Sequence, residues 1–126
     1  MLATGRGATV LRERVEGLLA ADRVATTGII RLEVLRGAKS QDDYLRLAKR
    51  LDALHQLPTT EQRWDEAAQL GFRLRRQGIT VPGTDLIIAA VALEAQTMLI
   101  HRDFHFDVVA QHAPLRVESY AASANA

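Results

Sequence analysis

The run Leu86-Ile87-Ile88-Ala89-Ala90-Val91-Ala92-Leu93 carries no polar side chain on any face. A helix that is apolar all round has to be covered on every side. The run is also far shorter than the roughly 20 residues that cross a bilayer. It is therefore read as a helix buried inside a folded domain, opened by Thr84-Asp85 and extending to about Gln96.

The rest of the chain must supply that cover. Thr97 to His101 has strand character, and so do short segments at Arg23 to Thr27, Gln56 to Pro58 and Leu115 to Glu118. Between them apolar residues return at helical spacing. Val10, Leu11, Val15, Leu18 and Leu19 mark an amphipathic helix over Thr9 to Ala21, and Ile29 to Arg36 forms another between Thr27-Gly28 and Gly37. Ser40 caps a third, with Asp42 and Asp43 in its first turn, and Trp64 to Leu74 mark a fourth that ends at Arg75, Arg76 and Gly78. After a turn at Arg102 to Phe104, Val108 to His112 is a short helical piece.

Short strands alternating with longer helices need right-handed crossovers and a parallel sheet. The expected fold class is α/β: a three-layer sandwich with a short parallel sheet flanked by helices. At 126 residues the chain has room for one core. Residues 1–118 are expected to form that domain and residues 119–126 a flexible tail. Ligands in such folds sit beyond the carboxyl ends of the strands.

Composition narrows the chemistry. Sixteen basic and 15 acidic residues leave a net charge of +1, so any contact with nucleic acid must be local. Without cysteine, metal ligands are limited to carboxylates, histidines and backbone oxygens. Met1 to Val10 lacks the apolar stretch of a signal peptide, which leads us to expect a cytoplasmic protein with no membrane segment.

Glu33, Asp85 and Asp103 each follow a strand or open a helix at the expected sheet edge. Singly, each has an ordinary reading as a surface glutamate, a helix cap and a turn aspartate. Together they offer the hard oxygen ligands that Mg²⁺ or Mn²⁺ prefers. Such an ion lowers the pKa of a bound water and neutralises charge on a phosphate, as phosphodiester hydrolysis requires. His101 and His105 are the one close histidine pair, but they flank a strand end and lack the helical spacing of a zinc pair. Arg73, Arg75 and Arg76 suit either RNA phosphates or the C-terminal end of a helix.

The segment Thr26-Thr27-Gly28-Ile29-Ile30-Arg31-Leu32-Glu33-Val34-Leu35-Arg36-Gly37-Ala38 resembles the second motif of VapC-type PIN domains. Arg75-Arg76-Gln77-Gly78 followed by Thr84-Asp85-Leu86-Ile87-Ile88-Ala89-Ala90 resembles the third, and Leu99-Ile100-His101-Arg102-Asp103-Phe104-His105-Phe106-Asp107 the last. The resemblance covers nearly the whole chain. It implies catalytic and metal-binding roles for Glu33, Asp85 and Asp103. Where the family often has a further aspartate this chain has His105, which leaves Asp107 as a possible accessory ligand.

The resemblance further implies a toxin ribonuclease that uses Mg²⁺ or Mn²⁺ to cleave RNA, forms a homodimer and is neutralised by a cognate antitoxin protein. The family's opening motif, an apolar strand ending in aspartate, has no match in Met1-Leu2-Ala3-Thr4. That first strand is central in the family's sheet, so its absence here is expected to leave two neighbouring strands with unpaired backbone groups. On that expectation residues 1–126 alone are poorly stable and nearly inactive unless another chain donates a strand. The alternative function is a catalytically inactive PIN domain that binds antitoxin or a full-length copy.

Overall fold

The computed structural model describes residues 9–121, so Met1-Leu2-Ala3-Thr4 and the end of the expected tail lie outside the described residues. In chain order the elements are α1 (Thr9–Ala20), β1 (Ala25–Thr27), α2 (Gly28–Arg36), α3 (Gln41–Asp52), β2 (His55–Leu57), α4 (Glu61–Arg76), α5 (Gly83–Ala95), β3 (Leu99–His101), α6 (Phe104–His112) and β4 (Val117–Ser119).

The apolar run forms the middle of α5, where Ile87 through Ala92 are all buried. Its C-terminal cap is Gln96, a non-glycine residue held at φ 53°, whose N–H closes onto the Ala92 and Leu93 carbonyls. Against α5 lies α4, which buries Ala67, Leu70 and Leu74 and keeps its charged side chains mostly outside. The two helices come closest at Gly71, where an added Cβ would stand 2.7 Å from Leu86 Cδ1. Two of the helices start on hydroxyl caps: Ser40 Oγ accepts from the Asp43 N–H at 3.0 Å and Thr60 Oγ1 from the Arg63 N–H at 3.3 Å.

Both strand pairings are parallel, β1 with β2 and β3 with β4. Side chains alternate along β3: Leu99 enters the main core with Ile88, Ala89 and Val109, whereas Ile100 packs with Leu11 and Val15 of α1 on the opposite face. A layer of strands is thus enclosed between α1 and the α5–α6 side, the three-layer arrangement expected from the sequence. The ion pair of Arg14 and Glu118, 3.1 Å apart, ties α1 to β4.

Among the described residues the strands form two pairs and not one continuous sheet. The Val24 carbonyl accepts from His55 N–H, and the Leu99 N–H donates to the Arg116 carbonyl, so these backbone groups face outward from the centre. The intervening residues of β1 and β3 face inward, across a cavity of about 380 Å³ lined by Ala25, Thr26, Leu99, Ile100 and, from α5, Ile88 and Val91. Thr26 Oγ1 is buried there without a hydrogen-bond partner. No helix among the described residues is long and apolar enough to cross a membrane.

The packing of α4 on α5 makes a direct prediction. Leu74→Ala, at a side chain only 1% exposed, should lower stability by about 2–5 kcal/mol. Phe72→Ala, two residues away on a different face of α4 at a side chain 64% exposed, should change it by less than about 1 kcal/mol. Urea midpoints measure both, and equal shifts for the two variants would contradict this packing.

Candidate metal centre

Asp103 directly follows β3 and is the N-cap of α6, its Oδ1 accepting from the His105 N–H at 2.9 Å. The cap holds both Asp103 and His105 at the carboxyl end of the strand. It also starts α6 at Phe104, earlier than the Val108 expected from apolar spacing, so Arg102 to Phe104 is not the separate turn that was expected. Asp85 comes from the first turn of α5, whose N-cap, Pro82, offers no side-chain cap bond. Asp85, Asp103 and His105 each present a ligand atom, and these atoms all lie within 4.8 Å of one another.

The group is electrostatically crowded. Burial, then the charge of Asp103, pushes the Asp85 carboxyl up to about 6, with Glu33 adding to the rise and His105 opposing it. His105 Nδ1 stands 2.9 Å from Asp103 Oδ1 and 3.4 Å from Asp85 Oδ2. It is nevertheless buried without an aligned hydrogen bond to either. Two carboxylates and an unsatisfied imidazole nitrogen converging on one point fit a shared cation better than they fit one another.

Of the residues singled out in the sequence, Asp85 and Asp103 are brought together, and half-buried Glu33 on α2 is near enough to raise the Asp85 pKa but stands outside the inner group. Asp107 is placed elsewhere. Its Oδ1 is 3.1 Å from His101 Nε2, and its Oδ2 accepts from Ser119 Oγ at 2.7 Å. His101 is fully buried, and burial lowers its pKa against the opposing pull of Asp107. With Nδ1 accepting the Asp103 N–H at 3.1 Å, both of its nitrogens are engaged, which leaves no zinc pair with His105. Arg73, Arg75 and Arg76 are exposed in the last turn of α4, with Arg76 5.7 Å over the Phe72 ring. Arg75 and Leu86 line one groove, so this basic turn lies beside the end of α5 that carries Asp85.

Sequence reasoning had set His105 aside because an imidazole stands where a carboxylate was looked for. Its position two residues after a capping aspartate was the available signal, since a cap brings the side chains of both residues to one helix end.

Comparison with known proteins follows the same lines. Residues 6–111 match the PIN domain family. Ribonuclease VapC18 of Mycobacterium tuberculosis is 35% identical over 96 residues, covering 73% of this chain and 70% of that protein. VapC ribonuclease Mb1587 of Mycobacterium bovis is 33% identical over 120 residues, covering 94% and 89%. Among solved structures, DNA-bound VapBC from Salmonella typhimurium superposes with a TM-score of 0.73 at 22% identity, covering 90% of this chain and 86% of that one, a likeness of fold alone. VapBC-5 of Mycobacterium tuberculosis, a member of the VapBC family of toxin-antitoxin systems, superposes at 0.58 with 28% identity, covering 80% and 83%.

The raised pKa of Asp85 has a consequence for the metal-free chain. Folding strengthens this group's hold on its proton, so its contribution to stability is complete below about pH 4 and is lost as pH rises toward about 6. Asp85→Asn removes the titration. In EDTA, the melting temperature of the variant relative to the parent chain should therefore climb between pH 4 and pH 7, by roughly a few degrees. A difference that stays constant over that range would show that Asp85 is not crowded in this way.

Proposed function

The chain belongs to the PIN-domain family, among its VapC-type ribonucleases, and from that premise we propose that it is the metal-dependent endoribonuclease toxin of a toxin–antitoxin pair. The observation that carries the chemistry is the convergence of Asp85, Asp103 and His105 within 4.8 Å beside Glu33.

In this reading Asp85 and Asp103 hold Mg²⁺ or Mn²⁺, with His105 at the third position and Glu33 next to them. When bound, the ion lowers the pKa of a water and offsets the charge that builds on the scissile phosphate. Because burial and like charge raise the Asp85 pKa to about 6, a cation that binds there displaces a proton at pH below about 6 and offsets the charge that crowds the site. Glu33, outside the inner group, is the carboxylate left free to take the proton released by the attacking water. Arg75 and Arg76, with Arg73 behind them, supply cations on which the RNA backbone can rest beside this end of α5. Asp107 is assigned no metal here, because both of its oxygens already have partners.

The chain acts in the cytoplasm in this reading, as a homodimer held inactive by an antitoxin protein. The VapBC toxin-antitoxin complexes of like fold support that assembly.

RNA cleavage should require Mg²⁺ or Mn²⁺ and vanish in EDTA. Asp85→Asn and Asp103→Asn should each lower it by more than about 100-fold. Glu33→Gln should lower cleavage as well, while weakening Mn²⁺ binding less than Asp103→Asn does. Undiminished cleavage in EDTA, or by either asparagine variant, would remove the metal-site reading. Mn²⁺ binding without any cleavage would instead favour a PIN domain that only binds its protein partner.

A further inference from the structure

Behind the acidic group lies a polar chain to which none of the roles above assigns a function. His101, on the last residue of β3, is 0% exposed, and its ring lies 5.1 Å from that of Phe106. A buried imidazole in an apolar setting needs a reason for each of its nitrogens. Nδ1 faces the Asp103 backbone N–H at 3.1 Å. A backbone N–H can only donate, so Nδ1 is the bare nitrogen, and the ring proton must sit on Nε2.

Nε2–H then donates to Asp107 Oδ1 at 3.1 Å. The other oxygen, Oδ2, accepts from Ser119 Oγ at 2.7 Å, and Ser119 Oγ in turn accepts from the Ala121 N–H at 3.3 Å. The parallel register sets Ser119 of β4 directly beside His101 of β3, and Asp107, in the first turn of α6, bridges the two. Every donor in this chain points the same way, toward Asp107 from both sides, so only one tautomer of His101 satisfies it.

We propose that His101 is a positioning residue for the metal centre: held as the Nε2–H tautomer by Asp107 and Ser119, it fixes the Asp103 backbone and so aims the Asp103 carboxylate at Asp85 and His105. The proposal deepens the metal-dependent reading and rests on it. Asp103 adopts an extended backbone, φ −124° and ψ 120°, between strand and helix, and its N–H lies outside the regular pairing of either. His101 supplies the missing partner. Its loss frees the peptide to rotate, which moves the carboxylate that caps α6 and, with it, His105.

The test compares Mn²⁺ affinity, RNA cleavage and metal-free melting for the parent chain, His101→Asn, His101→Gln and Asp103→Asn. Asparagine can place its Oδ1 near the Nδ1 position and still accept the Asp103 N–H. Glutamine reaches Asp107 but brings no acceptor to Asp103. His101→Asn should bind Mn²⁺ close to the parent affinity, and His101→Gln should bind roughly 10-fold more weakly or worse, even where the two melt alike. Equal affinities for the two variants, or a loss that follows only melting temperature, would overturn the positioning role. Imidazole nitrogen resonances of the unaltered chain give a reading that no folding defect can confuse: His101 should carry its proton on Nε2, and a proton on Nδ1 overturns the proposal. If the parent chain and Asp103→Asn bind Mn²⁺ equally, the metal-centre reading itself fails and the positioning role falls with it, a result distinct from failure at His101 alone.

Discussion

Everything in this molecule is arranged around a helix that cannot meet water. The middle of α5 is apolar on all sides, and α4, α2 and α6 each pack against it. Hydrophobic burial has no direction, so it would tolerate many rotations of such a helix. Close approach at Gly71, where α4 leaves room for Leu86, restricts the choice. That restriction reaches the chemistry directly, because Leu86 is the residue after Asp85. The fit between two helices thereby sets where one carboxylate points.

The cluster at the end of α5 is costly to build. Partial burial and like charge act on Asp85 together, and the metal-free site relieves them by retaining a proton longer than a free aspartate does. An arrangement of this kind is poor for stability and well suited to capturing a cation, and the apolar packing of α5 is what tolerates it. The capping bond that the His105 N–H donates to Asp103 Oδ1 acts from the other side, fixing both side chains with a single turn of backbone.

Much of this was legible in the sequence. The spacing of apolar residues located the helices, and Ser40 announced a helix start that its cap bond bears out. Asp85 and Asp103 could be paired in advance because each sits at a strand or helix boundary within a family-like motif. The features that were not legible are long-range. Asp107 looked like a spare ligand until the pairing of His101 with Ser119 occupied it, and nothing local in either segment reveals that register. Likewise, apolar spacing began α6 at Val108, because the cap at Asp103 acts through a side-chain bond that carries no periodic signal. His105 was passed over by residue type, although its place beside a cap would have justified including it.

The two strand pairs share no backbone hydrogen bond among the described residues, and α5 side chains lie beneath the space between them. Glu33 rides on α2, which continues from β1, whereas Asp103 and His105 ride on the segment that continues from β3, with Asp85 on the helix in between. The acidic group is thus assembled from both halves of the molecule across a joint made of greasy contacts. Such a joint yields more easily to twisting than a continuous ladder would. The spacing of the carboxylates therefore depends on how the two halves are set against each other.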